Sequence, residues 1–130
     1  MTRLNRTIEN RANILQAIGW QVNIHSYAWS PPTDVYETDA SFVVRVEVAG
    51  MRESDFTIDV DNNYLVIGGT RVDAQERRSY HQMEIRFGDF STGIELPTGV
   101  NVDKADAEYE DGFLTVILPK IVPTGIKIQG

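Results

Sequence analysis

The sequence predicts an antiparallel β-sandwich, on three observations. From Phe42 onward, apolar residues recur at every second position, the period of a strand with one buried face. Turn-forming pairs and prolines (Asn62-Asn63, Gly68-Gly69, Gly88-Asp89, Pro97, Asp111-Gly112, Pro119) cut those runs into short pieces, the spacing of a sandwich rather than of alternating helices and strands. Beyond residue 33 no segment of useful length carries a helical period. A chain of 130 residues fits one domain, and folding one of this size removes roughly two-thirds of the unfolded surface.

The elements follow in order. Ile8, Ala12, Leu15 and Ile18 are spaced for a short amphipathic helix, with Thr7 as N-cap and Gly19 as stop. Such a helix is marginal alone and needs a surface to pack on. Pro31-Pro32 ends this arm, since paired prolines favour extended backbone. Phe42, Val44, Val46 and Val48 then make one face of a strand, and Phe56, Ile58 and Val60 make the next. Asn62-Asn63 turns the chain, Asn tolerating positive φ, into a return strand led by Leu65 and Ile67 and expected to end at Gly68-Gly69. Tyr80 to Phe87 and Phe90 to Leu96 are strand-like, with a break expected at Gly88-Asp89. Ala105, Ala107 and Tyr109 alternate with acidic residues up to the Asp111-Gly112 hairpin, which leads into Phe113–Leu118. No internal repeat or low-complexity tract interrupts this order.

Composition removes several function classes. The chain has no cysteine, hence no disulfide framework, thiolate nucleophile or Cys-ligated metal. No apolar run approaches the roughly 18 residues of a membrane span, and no continuous apolar stretch at the N-terminus suggests a secretory signal. A cytoplasmic setting is the expectation. The formal charge of −7 opposes binding to a nucleic-acid polyanion. That charge is unevenly placed. Residues 1–33 hold three arginines against one glutamate, net +2, and both tryptophans, whereas residues 34–130 hold nine basic against eighteen acidic residues, net −9.

Catalytic chemistry is not advertised. His25 and His81 lie in different segments with no metal-ligand pattern around them. No GxSxG, P-loop or GxGxxG pattern occurs. Asp59 and Asp61 share a strand face, read here as a solvated polar face rather than a cation site. Glu108, Glu110 and Asp111 read as turn and surface chemistry. No catalytic residue, metal or cofactor is expected. The end of the chain is more distinctive. Ile126-Lys127-Ile128, set behind Pro123 and Gly125, points both isoleucines the same way when extended. It is too short for a sheet of its own and needs an edge or groove. Docking both side chains contributes about 3–6 kcal/mol gross, less the cost of ordering the tail.

At this point a family resemblance is specific. Ala107-Glu108-Tyr109-Glu110-Asp111-Gly112-Phe113-Leu114-Thr115-Val116-Ile117-Leu118-Pro119-Lys120 resembles the signature A-x-x-x-(N/D)-G-(V/F)-L-x-(V/I)-x-(L/V)-P-K of the α-crystallin domain of small heat-shock proteins. Pro31-Pro32-Thr33-Asp34-Val35-Tyr36-Glu37, Glu47-Val48-Ala49-Gly50-Met51, Leu65-Val66-Ile67-Gly68-Gly69, Leu96-Pro97 and the terminal Ile126-Lys127-Ile128 fall in the family's order. The resemblance covers residues 31–130, about three-quarters of the chain. It implies an immunoglobulin-like sandwich of about seven to nine strands over residues 31–120, an arm over 1–30 and a tail over 121–130.

It also implies an ATP-independent holdase that works as a homo-oligomer and binds non-native client proteins. In the family, the tail isoleucines, here Ile126 and Ile128, dock in a neighbour's groove, which Phe56, Ile58 and Val60 with Ala105, Ala107 and Tyr109 would line. A loop strand swapped across the dimer would set Ser79, Tyr80 and His81 against the partner's Val35, Tyr36 and Glu37, with Glu84 and Arg86 among the dimer contacts. Ile14, Leu15, Ile18, Trp20 and Trp29 of the arm would meet clients or other protomers. Ile85 and Thr92 stand where arginines serving inter-chain ionic contacts are common in the family, and the stretch from Arg71 to Ser79 is short for a swapped arm. Two other readings are kept: an adaptor resembling the CS-domain co-chaperones, which bind a folded partner, and an enzyme using surface carboxylates.

Overall fold

The computed structural model of the chain describes residues 28–122 and the backbone of two short segments, 2–3 and 8–9. These form β1 (Thr2–Arg3), β2 (Ile8–Glu9), β3 (Thr33–Glu37), β4 (Ser41–Glu47), β5 (Phe56–Asp61), β6 (Tyr64–Arg71), β7 (Gly88–Glu95), β8 (Asp106–Glu110) and β9 (Phe113–Pro119). One sheet has the order β1-β8-β9-β4-β3 and the other β2-β5-β6-β7. The strands pair antiparallel, except that β2 lies parallel to β5. Ile8 and Glu9, placed by sequence periodicity in a helix, are in strand β2; the rest of that segment lies outside the described residues.

The core sits between the sheets because the two-residue alternation on each strand aims one apolar set inward. Phe42, Val44 and Val46 of β4 stand opposite Leu118, Val116 and Leu114 of β9. Ile58 and Val60 of β5 stand opposite Ile67 and Leu65 of β6. All ten are buried. Burying such a side chain stabilises by about 1.5–3 kcal/mol, and together they hold the sheets face to face.

The hairpins use the expected residues. Asn62 turns β5 into β6 with φ of 57°, and Asp111 and Gly112 turn β8 into β9 with φ of 52° and 82°, the backbone of a two-residue turn that matches strand twist. Three expectations change. β6 does not end at Gly68-Gly69 but runs on to Arg71. Gly69 is needed for close approach, since a Cβ there would lie 2.5 Å from the Asp55 carbonyl oxygen and 2.7 Å from Phe90 Cζ. Gly88-Asp89 begins β7 instead of breaking a strand. Residues 72–87, including the strand-like Tyr80–Phe87, have no regular secondary structure. An extended segment becomes a strand only where an edge receives it, and β6 is already flanked by β5 and β7.

Asp59 is a further correction. It is buried while Asp61 is half-buried, so the two do not form a solvated face. β2 lies along this edge with Glu9 in register with Asp59.

Candidate functional site

A sandwich of two open sheets has four edges, and an unpaired edge is a template for another strand. The candidate assembly residues lie on or beside these edges.

Phe56, Ile58 and Val60 are on β5, and Ala107 and Tyr109 are on β8. Ala105 precedes β8, immediately after a single 3-10 turn at Val102–Lys104. The fold brings the two sets together. The Phe56 and Tyr109 rings lie 5.1 Å apart at 56°, and all six residues belong to, or pack against, one apolar cluster. Five of the six are buried in the core, and Tyr109, half-buried, is held at its margin: its Oη donates to the Val48 carbonyl at 2.8 Å and accepts from the Met51 amide at 3.3 Å. The short arm strands β1 and β2 pair with β8 and β5 respectively.

The opposite end of the first sheet is β3. Among the described residues no strand pairs its outer edge, and Val35 and Tyr36 are 47% and 48% exposed. Glu37, the last residue of β3, reaches Lys120 Nζ at 2.7 Å. The lysine itself is buried, its side chain 5% exposed against 42% for the glutamate, and its ammonium lies 5.4 Å from the Phe42 ring centroid. A buried ammonium needs a compensating anion, so this pair ties the edge strand to the residue from which the tail departs.

Ser79, Tyr80, His81, Glu84 and Arg86 are all exposed on the loop 72–87. Tyr80, Met83, Ile85 and Phe87 present apolar surface there. The loop is internally braced: Arg78 bonds Asp73 at 2.8 Å, Glu76 at 3.0 Å and the Tyr80 hydroxyl at 2.9 Å. Its feet are tied by Arg71, whose Nε donates to the Arg86 carbonyl at 2.8 Å, with Nη2 donating to the same oxygen and Nη1 to the Ala49 carbonyl at 3.3 Å. The same guanidinium lies 4.5 Å from the Trp29 ring centroid and 5.3 Å from that of Phe87. Trp29 is docked, half-buried, with its ring 5.4 Å from Phe90 and its Nε1 donating to the Gly88 carbonyl. Its backbone bridges Phe90 on the outer edge of β7.

Sequence reasoning passed over Tyr109 as a hydrogen-bonding post, Arg71 as the clamp and Lys120 as a buried cation. Only Lys120 carried a signal, as a lysine closing an apolar strand and followed by Ile121-Val122. Ile14, Leu15, Ile18, Trp20, Ile126 and Ile128 lie outside the described residues. Among the described residues no helix is long and apolar enough to cross a membrane.

Comparison with known proteins agrees with this fold. The small heat shock protein C2 of Rickettsia felis is 36% identical over 92 residues, 69% of this chain and 60% of that protein. The chain thus spans less than two-thirds of that relative's length. The structure of heat shock protein 16.0 from Schizosaccharomyces pombe superposes with a TM-score of 0.71 at 32% identity, covering 78% of this chain and 96% of that one. A small heat-shock protein from Xylella fastidiosa, described as having a distinct high order structure, gives a TM-score of 0.64 at 26% identity, covering 78% and 96%. The family model of the Hsp20/alpha crystallin family matches residues 34–129, a span containing β4 through β9, all of β3 but Thr33, and the Ile126-Lys127-Ile128 motif. With fold, ordered motifs and matched span in agreement, the chain belongs to the Hsp20/alpha crystallin family.

Proposed function

We propose that the protein is an ATP-independent holdase of the cytoplasm that assembles with copies of itself and binds partly unfolded proteins. The observation that carries this reading is the exposed apolar surface of the loop 72–87 in a chain whose β3 edge is unpaired among the described residues. An extended segment carrying apolar residues and an open edge are the two halves of a β-augmentation contact. Ser79, Tyr80 and His81 of one copy pair with Val35, Tyr36 and Glu37 of another, and Glu84 and Arg86 supply charged contacts beside them. Higher assembly uses the β5–β8 groove, seating Ile126 and Ile128 of a neighbour's tail over Phe56, Ile58, Val60, Ala105, Ala107 and Tyr109. Each such contact is modest and becomes strong through multivalency in a closed assembly.

Client capture has no bond-making step. A non-native chain exposes apolar surface, and the arm residues Ile14, Leu15, Ile18, Trp20 and Trp29, together with grooves vacated by tails, cover it. Binding lowers the free concentration of the aggregating species, and the acidic body keeps the complex soluble. The purified protein, mixed in equimolar amount with a heat-labile client, is expected to suppress light scattering on heating without nucleotide. Unchanged scattering would overturn the reading.

A further inference from the structure

Arg71 is the last residue of β6, and the loop 72–87 begins directly after it. Its guanidinium reaches across the base of that loop to the Arg86 carbonyl, so one side chain joins the loop's two feet. It also lies 5.3 Å from the Phe87 ring centroid and, on another side, 4.5 Å from that of Trp29. Trp29 in turn grips the residues where the loop becomes β7. Its Nε1 donates to the Gly88 carbonyl at 3.3 Å, and its amide donates to the Asp89 carbonyl at 3.3 Å. Its carbonyl accepts from the Ser91 amide at 3.2 Å, and its ring packs 5.4 Å from that of Phe90. Arg71 thus holds residues 86 and 87, Trp29 holds residues 88 to 91, and the two holders lie against each other.

From this we infer that Trp29 and Arg71 form a latch, in which docking of residues 28–30 on β7 and fixing of the loop's base are one cooperative event. Neither half is well held alone. The backbone of Trp29 makes a bridge of a single residue pair with β7, far less pairing than an isolated strand needs. Arg71 meets carbonyls and rings but, among the described residues, no carboxylate. Two of those partners, the Trp29 ring and the Arg86 carbonyl, are in place only when segment and loop base are docked together. By linkage, whatever draws Trp29 off β7 loosens the loop, and whatever fixes the loop holds Trp29. The consequence for assembly rests on the loop contact proposed above. A loop fixed at its base pairs with a second copy at lower ordering cost, which makes Trp29 a positioning residue for that contact. A client that takes up Trp29 therefore weakens the pairing of copies, and pairing withholds Trp29 from clients.

The test follows each half of the latch while the other is altered. The chain has two tryptophans and no cysteine, so Trp20→Phe leaves Trp29 as the sole indole, and Ile85→Cys, at an exposed position beside the clamped base, carries a nitroxide label. Phe87 touches Arg71 and is partly exposed; Phe87→Ala should raise acrylamide quenching of Trp29 by about twofold. Trp29→Ala should raise the rotational rate of the label at position 85 by about fivefold. Trp29→Phe, which keeps a ring beside the guanidinium, should reverse most of that rise. In a chain carrying Arg71→Met, Trp29→Ala should change the label by less than about twofold, since the link is already cut. Phe87→Ala and Trp29→Phe keep the test open if Trp29→Ala does not fold. A label indifferent to Trp29, quenching indifferent to Phe87, or equal effects of Trp29→Ala with and without Arg71 would overturn the inference. Dilution separates it from the loop reading: Trp29→Ala should raise the dissociation constant for self-association by about fivefold. Unchanged self-association in a chain whose label and quenching respond as expected would overturn the loop contact and leave the latch standing.

Discussion

The Lys120–Glu37 pair makes an asymmetric prediction, because its two members differ in burial. The lysine side chain is 5% exposed and the glutamate 42% at a separation of 2.7 Å. Replacing Glu37 by Gln leaves an ammonium buried beside Phe42 without its carboxylate, and such orphaned charges cost about 3–5 kcal/mol. Glu37 stands half in solvent, so water offsets part of that loss, and about 2–3 kcal/mol is expected. For a domain of this size that lowers Tm by about 8 °C. Replacing Lys120 by Met leaves a glutamate free to hydrate and puts an apolar chain of similar length in an apolar slot, so the change should stay within about 1 kcal/mol of the parent. Removing the exposed partner should therefore cost more than removing the buried one. Thermal unfolding by circular dichroism at pH 7, with all chains at one concentration, reads both. The double variant separates this cause from a dimer effect of Glu37. If the cost is the orphaned ammonium, Glu37→Gln with Lys120→Met is no less stable than Lys120→Met alone. Lys120→Met proving the more damaging single change, or the double variant summing both losses, would refute the reasoning.

The remaining predictions concern the clamp, the core and the tail. Arg71→Met removes two ring contacts and the bonds to the Arg86 and Ala49 carbonyls, together about 2 kcal/mol of local anchoring. Amide hydrogen exchange should rise at the loop's feet, residues 86–91, while the core strands stay protected; unchanged exchange would remove the clamp. Gly69→Ala forces a Cβ against the Asp55 backbone and the Phe90 ring and should cost about 2–3 kcal/mol, read as a lower urea midpoint. Gly88→Ala, where nothing lies within 4 Å but φ is +94°, should cost about 1 kcal/mol. Ile126→Ala with Ile128→Ala should lower the native mass to that of a dimer and no further; an unchanged mass would refute the tail's role.

The two-residue alternation was enough to set β4, β5, β8 and β9, because a buried face enforces the period, and Asn62 and Asp111-Gly112 announced their hairpins by tolerating positive φ. Residues 72–87 misled the same reasoning for a physical reason. Tyr80, Met83 and Ile85 include strand formers, but propensity does not make a strand without an edge to pair with. Gly68-Gly69 misled in the other direction. Glycine pairs commonly stop strands, yet here the ladder with β7 carries the strand on to Arg71, and glycine stands at 69 because Phe90 and the Asp55 carbonyl leave no room for a Cβ. Phe56, Ile58 and Val60 with Ala105 and Ala107 were readable from the alternation as inward faces, and all five are buried. The Arg71 clamp joins Trp29, Ala49 and Arg86, positions far apart in the chain, and side-chain pairing across such separations leaves no local pattern. Asp59 failed likewise, since its burial depends on the packing of its edge and not on its neighbours in sequence.

The four sheet edges differ in what covers them, and the difference orders the proposed assembly. β8 and β5 carry β1 and β2, and the outer side of β7 is bridged at Phe90 by Trp29, which is in turn stacked under Arg71. β3 carries no strand among the described residues. A second copy that adds to β3 displaces no strand among the described residues, so its contact is reduced only by the ordinary entropy cost of association. A tail seated beside β5 and β8, as proposed, meets an end of the sandwich where β1 and β2 already pair. In the proposed assembly, β3 is therefore the edge at which a second copy meets no competing strand among the described residues. A modest contact at the groove is what the proposed function requires. In that proposal, a very tight tail contact would hold the assembly closed, and a very weak one would leave it without the multivalent contacts that build it.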